Sequence, residues 1–238
     1  MIDLHTHILP EMDDGSQSVV ETKEMFEMLA KQGIDTVVAT PHLYLDETGI
    51  KEFLDRREES VKKLTDNIKS DERLALALGA EVQFVPELHA MDDVEKLCLS
   101  GTRYLLVEMP FCEWSGYTYK YLNNLYTMRG IRPIVAHVER YLVYQREDEA
   151  DVLRKLKESN ALIQVNSEFF INKASRRKAL SLVKKRLINF MGSDAHNMEN
   201  RKPEIIGAFD IIYDKLGDDG IDAFEYWEDK LKEKLETL

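Results

Sequence analysis

Seven strand-like segments recur along this chain, and six of them end in a histidine, an aspartate or a glutamate. The first ends in the pattern His5-Thr-His7, and the alternation of side chains along a strand puts both imidazoles on one face. The residues at the six strand ends are His5 with His7, His42, Glu81, Glu108, His137, and Asp194 with His196. Packing alone rarely explains such side chains at the ends of buried strands, so the recurrence predicts one shared site.

Segments with helical periodicity separate these strands. Ser18-Val-Val-Glu21 has the form of a capping box and opens the first helix. A charged segment at residues 49–69 predicts a solvated helix whose inner face includes Ile68, and residues 86–97 predict a short helix. Strands that alternate with helices indicate parallel strands with helical crossovers, and seven strands come close to the eight of a TIM barrel. We therefore expect an α/β fold with its working residues at the carboxyl ends of the strands.

The chain of 238 residues shows no linker, low-complexity tract or close repeat, so we expect a single domain that spans residues 1–238. Its 44 acidic and 32 basic residues give a formal net charge of −12, which argues against a nucleic-acid backbone as the main partner. No apolar run approaches the ~18 residues of a spanning helix, and no signal peptide precedes the first strand. We therefore expect no direct insertion into a membrane.

The two cysteines, Cys98 and Cys112, form neither a metal-type spacing nor a disulfide framework. Their sparse use indicates a reducing compartment, and we expect a cytoplasmic protein. They also lack the cysteine-to-arginine spacing of a thiol phosphatase, because four residues separate Cys98 from Arg103 and Thr118 takes the corresponding place after Cys112. Cysteine chemistry is therefore not expected here.

Carboxylates and imidazoles without thiolates are the ligand set of Mn²⁺, Fe²⁺, Zn²⁺ or Mg²⁺. Asp13 and Asp14, just beyond the first strand, add hard oxygen ligands, and spacing alone does not distinguish between the two. Nine or so candidate ligands exceed what one ion needs, so we expect two or three divalent ions. Clustered ions of this kind activate water and clamp an in-line displacement at phosphorus.

Two arginines closely follow candidate ligands in the chain. Arg140 comes three residues after His137, and Arg201 comes five residues after His196. A guanidinium fork matches the oxygens of a phosphate and stabilises charge in the transition state. Arg140 and Arg201 are therefore the candidate catalytic residues, with a surface ion pair as the alternative for each.

The chain resembles the polymerase and histidinol phosphatase (PHP) superfamily, and within it the bacterial capsule and exopolysaccharide tyrosine phosphatases. The motifs that carry the resemblance are His5-x-His7, Asp13-Asp14-Gly15, Thr40-Pro-His42, Gly79-Ala-Glu81, the Glu108 strand, Ala136-His137-Val-Glu-Arg140-Tyr141 and Gly192-Ser-Asp194-Ala-His196. The resemblance implies a PHP fold, a distorted (β/α)₇ TIM-like barrel that holds three metal ions, usually named as manganese. It also implies hydrolysis of phosphotyrosine on the tail of a membrane tyrosine autokinase that controls polysaccharide export.

The resemblance further implies how the ligands divide among the ions. The implied sets are His5, His7, Glu81 and Asp194 for the first ion, Glu81, Glu108 and His137 for the second, and His42, His196 and Asp14 for the third. Glu81 would bridge the first two ions, and Asp14 is favoured over Asp13 for the third. Arg140 and Arg201 match the arginines that bind phosphate in the family.

Two other readings of the site stay open at this point. Residues 43–47 are apolar and acidic, whereas some relatives carry basic residues there, so a PHP phosphatase of a small metabolite such as histidinol phosphate is the nearest alternative. Amidohydrolases also open with His-x-His, but they typically want a histidine at the sixth strand end, where this chain has Asn166, and often a bridging lysine. A non-catalytic metal-binding partner would not need so complete a ligand set.

Two features are expected to lie outside the chemistry. His89 falls within a predicted helix rather than at a strand end, so we expect it to be a surface histidine. The last helix carries an apolar stripe that consists of Phe224, Trp227, Leu231 and Leu235. We expect this stripe to cover the bottom of the barrel, with an oligomer contact as the alternative.

Overall fold

The structure is a computed structural model that describes residues 1–67 and 74–238. Its strands are β1 Ile2–Thr6, β2 Thr36–Ala39, β3 His42–Leu43, β4 Ala75–Leu78, β5 Glu81–Gln83, β6 Tyr104–Glu108, β7 Arg132–Val135, β8 Leu162–Asn166 and β9 Phe190–Gly192. Its α-helices are α1 Val19–Lys31, α2 Ile50–Asn67, α3 Gly116–Arg129, α4 Glu149–Glu158, α5 Glu168–Ile171, α6 Arg176–Lys184, α7 Ile206–Leu216 and α8 Asp218–Lys232. Short 3₁₀ turns cover residues 88–90, 94–97, 138–140 and 142–144.

Every paired strand runs parallel to its neighbours within the described residues. One sheet has the order β1-β2-β4 and the other the order β3-β5-β6-β7-β8-β9. A bridge between Thr6 and Ala195 connects the end of β1 to the segment after β9, so the curled sheet brings its first and last strands together. The α/β class with parallel strands, expected from the sequence, is confirmed.

Two of the seven predicted strands are each divided by a short break, which is why nine strands are observed in residues 1–67 and 74–238. Pro41 lies between β2, which ends at Ala39, and β3, which begins at His42. It has no backbone N–H, so it cannot donate a hydrogen bond to a neighbouring strand. The ladder nevertheless continues across both breaks, since Gly79 N donates to Ala39 O at 2.8 Å and Glu81 N donates to Pro41 O at 3.0 Å. The breaks let His42 and Glu81 leave the regular strand direction at the carboxyl edge of the sheet.

The buried side chains form two layers. An inner cluster lies inside the curl of the sheet and takes residues from seven strands: Ile2, Leu4, Val38, Ala77, Leu106, Ile134, Leu162 and Phe190. Leu231 of α8 is buried in this cluster, and Trp227 and Leu235 pack against it. The C-terminal helix therefore covers one end of the inner core, as expected from its apolar stripe. A larger outer cluster lies between the sheet and the surrounding helices.

Two predictions about the helices are wrong, and a third lies partly outside the described residues. Ser18 caps α1 by accepting a hydrogen bond from Glu21 N, but the Glu21 carboxylate accepts from Gln17 N instead of completing a capping box. Residues 86–97 form two 3₁₀ turns rather than one helix, because the left-handed Asp93, with φ of 62°, breaks the segment. Ile68 and Lys69, expected at the end of the second helix, lie outside the described residues.

Candidate metal centre

Glu81 opens β5 and lies fully buried within a ring of histidines. Its Oε2 atom is 3.0 Å from His42 Nδ1, 3.1 Å from His5 Nε2 and 3.3 Å from His7 Nε2. On the other side of the carboxylate, Oε1 is 2.7 Å from His137 Nε2. One carboxylate thus contacts four imidazoles that the folded sheet brings together from distant parts of the chain.

His5 lies in β1 and His7 follows its last residue, and their Nε2 atoms are 3.2 Å apart. His7 Nδ1 is 2.7 Å from Asp13 Oδ2, and His5 Nδ1 is 3.3 Å from the Gln164 Oε1 atom. Both acceptors favour a proton on Nδ1, which leaves two Nε2 lone pairs directed into one small space. A shared cation between the lone pairs would remove their mutual repulsion.

Several buried polar atoms of this cluster make no hydrogen bond of acceptable geometry. These atoms are Glu81 Oε2, Asp194 Oδ1, His42 Nδ1, His137 Nδ1 and His196 Nε2. An unsatisfied buried polar group costs about 1–3 kcal/mol, so several of them in one place call for a ligand. Since imidazole and carboxylate groups are what divalent first-row ions and Mg²⁺ accept, the residues present fit divalent cations.

Burial and neighbouring charges shift the pKa values of the cluster in both directions. Burial alone would raise the pKa of Glu81, but the imidazoles of His5 and His137 outweigh it and hold that pKa well below its usual range. Burial alone would lower the pKa of His7, but the carboxylates of Asp13, Asp194 and Glu81 together outweigh it and raise that pKa well above its usual value. Burial lowers the pKa of His137 and of His196, which favours the neutral imidazole that binds metal ions.

Within the described residues, three groups of ligand atoms lie within 4.8 Å of one another. The groups are His5, His7 and Glu81; His7, Asp14, His42 and His196; and His42, Glu81 and Glu108. Asp194 adjoins the first group, since its Oδ1 is 3.4 Å from His7 Nε2. His137 Nε2 lies 2.7 Å from Glu81 and 3.9 Å from Glu108. The structure thus places all nine residues named from the sequence in one cluster.

Asp13 and Asp14 have different surroundings, although they are adjacent in the chain. Asp13 is occupied by hydrogen bonds, since its Oδ2 accepts from His7 Nδ1 and from His42 N at 2.8 Å, and its Oδ1 accepts from Gly15 N at 2.9 Å. Asp14 is 66% exposed, and its Oδ1 lies 3.3 Å from His196 Nε2. This geometry favours Asp14 as a ligand and Asp13 as the carboxylate that orients His7.

Gln164 and Asn166 are residues of the site that the sequence did not identify. Both are buried on β8, the strand with no strong ligand at its end. Gln164 Oε1 accepts from His137 N at 2.6 Å, and Gln164 Nε2 donates to Asn166 Oδ1 at 3.0 Å. Asn166 Nδ2 then donates to Asp194 Oδ2 at 2.9 Å. A glutamine within the apolar run of residues 161–165 was the available signal.

Gly192 makes the contact between Gln164 and His5 sterically feasible. It belongs to β9, which lies between β8 and the end of β1 in the curled sheet. A Cβ atom at this position would come within 2.6 Å of His5 Cβ and 3.1 Å of Gln164 Nε2. Any larger residue would therefore push the amide and the imidazole apart.

Both candidate arginines converge on one oxygen of Asp194. Arg140 Nη2 lies 2.5 Å and Arg201 Nη2 lies 2.8 Å from Asp194 Oδ2, and each arginine side chain is 36% exposed. Arg201 Nη1 is also 3.9 Å from Asp14 Oδ2. The two guanidinium groups thus lie at the border between the buried cluster and solvent, where an oxyanion could reach them.

Two of the candidate ligands have unusual backbone conformations. His137, which follows β7, has φ of 27° and ψ of 56°, and Asp194, which follows β9, has φ of 53°. Non-glycine residues adopt positive φ only at a cost, and such residues concentrate at functional sites. The turns after β7 and β9 therefore aim these two side chains at the cluster at the expense of local backbone strain.

The features expected to lie outside the chemistry are separate from the cluster. His89 lies in the 3₁₀ turn of residues 88–90, with its Nδ1 3.1 Å from Pro86 O and its ring against Tyr121. Cys98 is buried, and burial raises the pKa of its thiol to about 12, whereas Cys112 is exposed. None of these three side chains lies in the three ligand groups of the described residues.

Comparison with known proteins identifies the family. Residues 1–228 match the family described as capsular polysaccharide synthesis, CpsB/CapC. The chain belongs to the CpsB/CapC family. This agrees with the resemblance that the motifs carried, because the match extends over nearly the whole chain and includes every candidate ligand and both arginines.

Curated members of the CpsB/CapC family include tyrosine phosphatases. The chain is 30% identical over 233 residues to the tyrosine-protein phosphatase CpsB of Streptococcus pneumoniae, covering 91% of each chain. It is 33% identical over 230 residues to the tyrosine-protein phosphatase YwqE of Bacillus subtilis strain 168, covering 91% of this chain and 85% of YwqE.

A solved structure supports the same relationship. A chain from the crystal structures of YwqE from Bacillus subtilis and CpsB from Streptococcus pneumoniae, described as unique metal-dependent tyrosine phosphatases, superposes with a TM-score of 0.78. The two chains are 29% identical, and the match covers 100% of this chain and 97% of the other. The arrangement of strands described above is therefore the arrangement of a known metal-dependent phosphatase.

Proposed function

We propose that this protein is a metal-dependent protein-tyrosine phosphatase that hydrolyses phosphotyrosine on a protein partner in capsular or exopolysaccharide synthesis. Membership of the CpsB/CapC family and the names of CpsB and YwqE support the activity and its biological setting. The observation that carries the proposal is the position of Glu81, whose buried carboxylate lies within 3.3 Å of four imidazoles. A carboxylate so placed is suited to bridge two cations.

The cluster would hold two or three divalent ions, with Mn²⁺ as the proposed metal and Fe²⁺, Zn²⁺ or Mg²⁺ as the alternatives. The proposed ligands are His5, His7, Asp14, His42, Glu81, Glu108, His137, Asp194 and His196. Ions bound there would supply Lewis-acid chemistry, making water a better nucleophile at neutral pH and offsetting the charge of the phosphoryl group. The absence of thiolates among these ligands supports a hard or borderline ion.

Arg140 and Arg201 would bind the non-bridging oxygens of the phosphoryl group. In the structure their guanidinium groups share Asp194 Oδ2, which keeps them extended towards the cluster. Because Asp194 also accepts from Asn166, its carboxylate stays in place when one arginine turns to an oxyanion. A guanidinium group at this position would stabilise negative charge that develops on the phosphoryl oxygens in the transition state.

The fold that we propose is the distorted (β/α)₇ TIM-like barrel of the PHP superfamily, formed by residues 1–238 as one domain. The inner cluster, with residues from seven strands, and the bridge between Thr6 and Ala195 support closure of the sheet into a barrel. The candidate ligands other than Asp14 lie at the carboxyl end of a strand or within four residues after it, with His42 following β2 and Glu81 following β4. Barrel enzymes place their working residues at this edge of the sheet.

The proposed substrate is a phosphotyrosine-bearing tail of a membrane tyrosine autokinase, which the phosphatase would reach from the cytoplasm. Among the described residues, no helix has the length and apolar character needed to span a membrane. The free thiols of Cys98 and Cys112 are compatible with a reducing compartment. The partial exposure of Arg140 and Arg201, each 36% exposed, suits a phosphate group that is presented on a flexible segment.

A substrate panel tests the proposal. The metal-loaded protein is given a phosphotyrosine peptide, histidinol phosphate, and an aryl lactone, and the initial rates are compared. We expect release of phosphate from the phosphotyrosine peptide with the highest kcat/KM. A higher kcat/KM on histidinol phosphate would assign the protein to the metabolite phosphatases, and hydrolysis of the lactone alone would assign it to the amidohydrolases. Glu81→Gln, which removes the bridging carboxylate, is the inactive control.

A further inference from the structure

The segment between β9 and α7 carries both a candidate ligand and a candidate phosphate-binding residue. His196 lies in it, and Arg201 follows five residues later, outside the helices and strands of the described chain. Met198 packs on the outer cluster, but the two residues after it are exposed. Arg140, by contrast, lies in the 3₁₀ turn of residues 138–140. Little of the segment before Arg201 is therefore held in place by packing.

The side chain of Asn197 closes this segment into a loop. Its Oδ1 atom accepts hydrogen bonds from three successive backbone N–H groups, those of Glu199 at 3.0 Å, Asn200 at 2.9 Å and Arg201 at 3.1 Å. Because a backbone N–H can only donate, the atom at the centre of these contacts must be the amide oxygen rather than the nitrogen. One side-chain atom thus fixes the backbone up to and including Arg201.

The carbonyl group of Arg201 closes the loop from the other side. Its oxygen accepts from His196 N at 2.9 Å and from Asn197 N at 3.2 Å. Both backbone polar groups of Arg201 are therefore bonded within residues 196–201, the N–H to the Asn197 side chain and the carbonyl to the backbone of a candidate ligand. The loop couples the position of the arginine directly to that of His196.

The contact between Arg201 and Asp194 does not replace this anchor. Arg201 Nη2 lies 2.8 Å from Asp194 Oδ2, and Arg140 contacts the same oxygen. In the proposed reaction, the guanidinium group of Arg201 has to turn from Asp194 to a phosphoryl oxygen. A long side chain that leaves its partner regains many rotamers, and a fixed backbone then limits where its guanidinium group can go.

We propose that Asn197 is the positioning residue of Arg201, because its side chain holds the arginine backbone before the phosphoryl group arrives. The inference rests on the proposed function, in which Arg201 binds a phosphoryl oxygen. It assigns to Asn197 no contact with the substrate or with a metal ion. Order that is present before binding does not have to be formed during binding, so the loop raises the affinity of the site for phosphate.

Titration of the metal-loaded protein with inorganic phosphate measures this effect without turnover. Arg201→Ala should weaken phosphate binding about 10- to 100-fold, as expected for loss of hydrogen bonds to a charged group. Asn197→Ala should weaken it at least about 5-fold, since ordering one freed backbone residue costs that much affinity. Asn197→Asp keeps an acceptor for the three N–H groups and should restore most of the affinity. Metal content is measured on each preparation, because Asn197 follows His196 in the chain.

Two comparisons separate positioning from a general structural role. In the double variant Asn197→Ala with Arg201→Ala, phosphate binding should equal that of Arg201→Ala alone, because Asn197 acts only through the arginine. Amide hydrogen exchange at residues 199–201 should be faster in Asn197→Ala and slow again in Asn197→Asp. Asn172→Ala is the matched control, since Asn172 Oδ1 accepts from Ala174 N at 2.9 Å in an exposed turn that contains no candidate ligand. It should bind phosphate like the parent.

The pattern of phosphate binding decides between the outcomes. Parent-like binding in Asn197→Ala, beside weak binding in Arg201→Ala, would overturn the inference and leave the proposed function intact. An additive loss in the double variant, or loss of metal in Asn197→Ala, would also overturn it, since Asn197 would then act on something other than Arg201. Parent-like binding in Arg201→Ala would overturn both the inference and the proposed role of that arginine. Failure to hydrolyse phosphotyrosine while the expected binding pattern holds would instead count against the proposed function alone.

Discussion

Gln164 and His5 face each other across β9, with Gln164 Oε1 3.3 Å from His5 Nδ1. The same oxygen accepts from the backbone N–H of His137 at 2.6 Å, and a backbone N–H can only donate, so the orientation of the amide is fixed. His5 must therefore carry its proton on Nδ1 and present Nε2 to Glu81. Through Asn166 the same glutamine also supports Asp194, so one neutral side chain orients ligands from three strands.

Replacement of Gln164 should weaken metal binding rather than unfold the protein. Gln164→Leu preserves the approximate side-chain volume but leaves His137 N without a hydrogen-bond acceptor. It also removes the acceptor that fixes the proton of His5 on Nδ1. Loss of such an outer partner typically lowers metal affinity about 10- to 100-fold. The measurement is a metal titration of the apo protein, together with ¹⁵N NMR of the imidazole tautomers.

Gln32→Leu is the matched control for this prediction. Gln32 also bonds backbone groups, accepting from Ile205 N at 2.8 Å and donating to Pro203 O at 2.8 Å, but it lies at the end of α1 rather than in the cluster. It should lower thermal stability while metal affinity stays at the parent level. Equal metal affinities in Gln164→Leu and the parent would remove Gln164 from a positioning role.

Metal removal should abolish activity and lower thermal stability together. Nine candidate ligands lie in one cluster, and ions that bind only the folded state stabilise it by mass action. Elemental analysis of the active protein should give two to three ions per chain. A strong chelator should remove activity, and added Mn²⁺ should restore it and raise the Tm of the apo protein. One ion per chain or none in the active preparation would contradict this prediction.

Arg140→Ala and Arg201→Ala should each lower kcat/KM about 10²- to 10³-fold, the usual effect of losing one charge contact in a transition state. Lysine should restore only part of the rate, because a point charge lacks the bidentate fork. Arg154→Ala, which removes an exposed arginine paired with Asp151 on α4, should behave like the parent. Metal content must be measured on the same preparations, since both arginines contact Asp194. Parent-like kinetics in either variant would exclude that arginine, and lost metal would make its role structural.

Glu228 should make folding stability depend on pH. Burial raises the pKa of this carboxyl group to about 7, partly offset by the amino terminus of Met1 and by Lys232, and its Oε2 accepts from Ile2 N at 3.2 Å. The folded state therefore keeps a proton that the unfolded chain loses near pH 4.3, so stability falls as pH rises from about 4.5 to 7. Glu228→Gln removes this loss and should stabilise the protein by roughly 1–3 kcal/mol more at pH 8 than at pH 5.

Denaturant unfolding at the two pH values measures the difference. Glu225→Gln is the control, because Glu225 is exposed on the same helix. A pH-independent effect of Glu228→Gln would mean that the carboxyl group titrates in the folded protein as it does in the unfolded chain.

The sequence predicted the general fold and the membership of the cluster because both depend on repeated, local patterns. An apolar run that ends in His42, Glu81 or His137 is visible along the chain, and parallel strands bring such ends to one edge. The choice between Asp13 and Asp14 was not visible, because it depends on which carboxylate the turn to Gly15 directs towards His7. That choice requires the backbone path of the turn.

The supporting residues were harder to predict. Gln164 is a single polar residue in an apolar run, and its role depends on strands that are distant in sequence and on the absence of a side chain at Gly192. The sequence predicts one helix where the structure has 3₁₀ turns at residues 88–90 and 94–97, because the spacing of the buried Leu88, Val94 and Leu97 does not reveal the left-handed Asp93. Both cases depend on three-dimensional context rather than on local pattern.

The positive φ angles of His137 and Asp194 lower the stability of the fold at two residues that are proposed to bind metal. Residues in this conformation cost on the order of 1–3 kcal/mol each, and glycine adopts it freely. Asp194→Gly and Asp194→Ala both remove the carboxylate, but only glycine relieves the backbone, so the glycine variant should have the higher Tm in the apo form. Directed evolution for thermal stability alone would therefore favour substitutions that remove residues of the proposed metal site. Selection for a more stable enzyme needs an activity assay in every round.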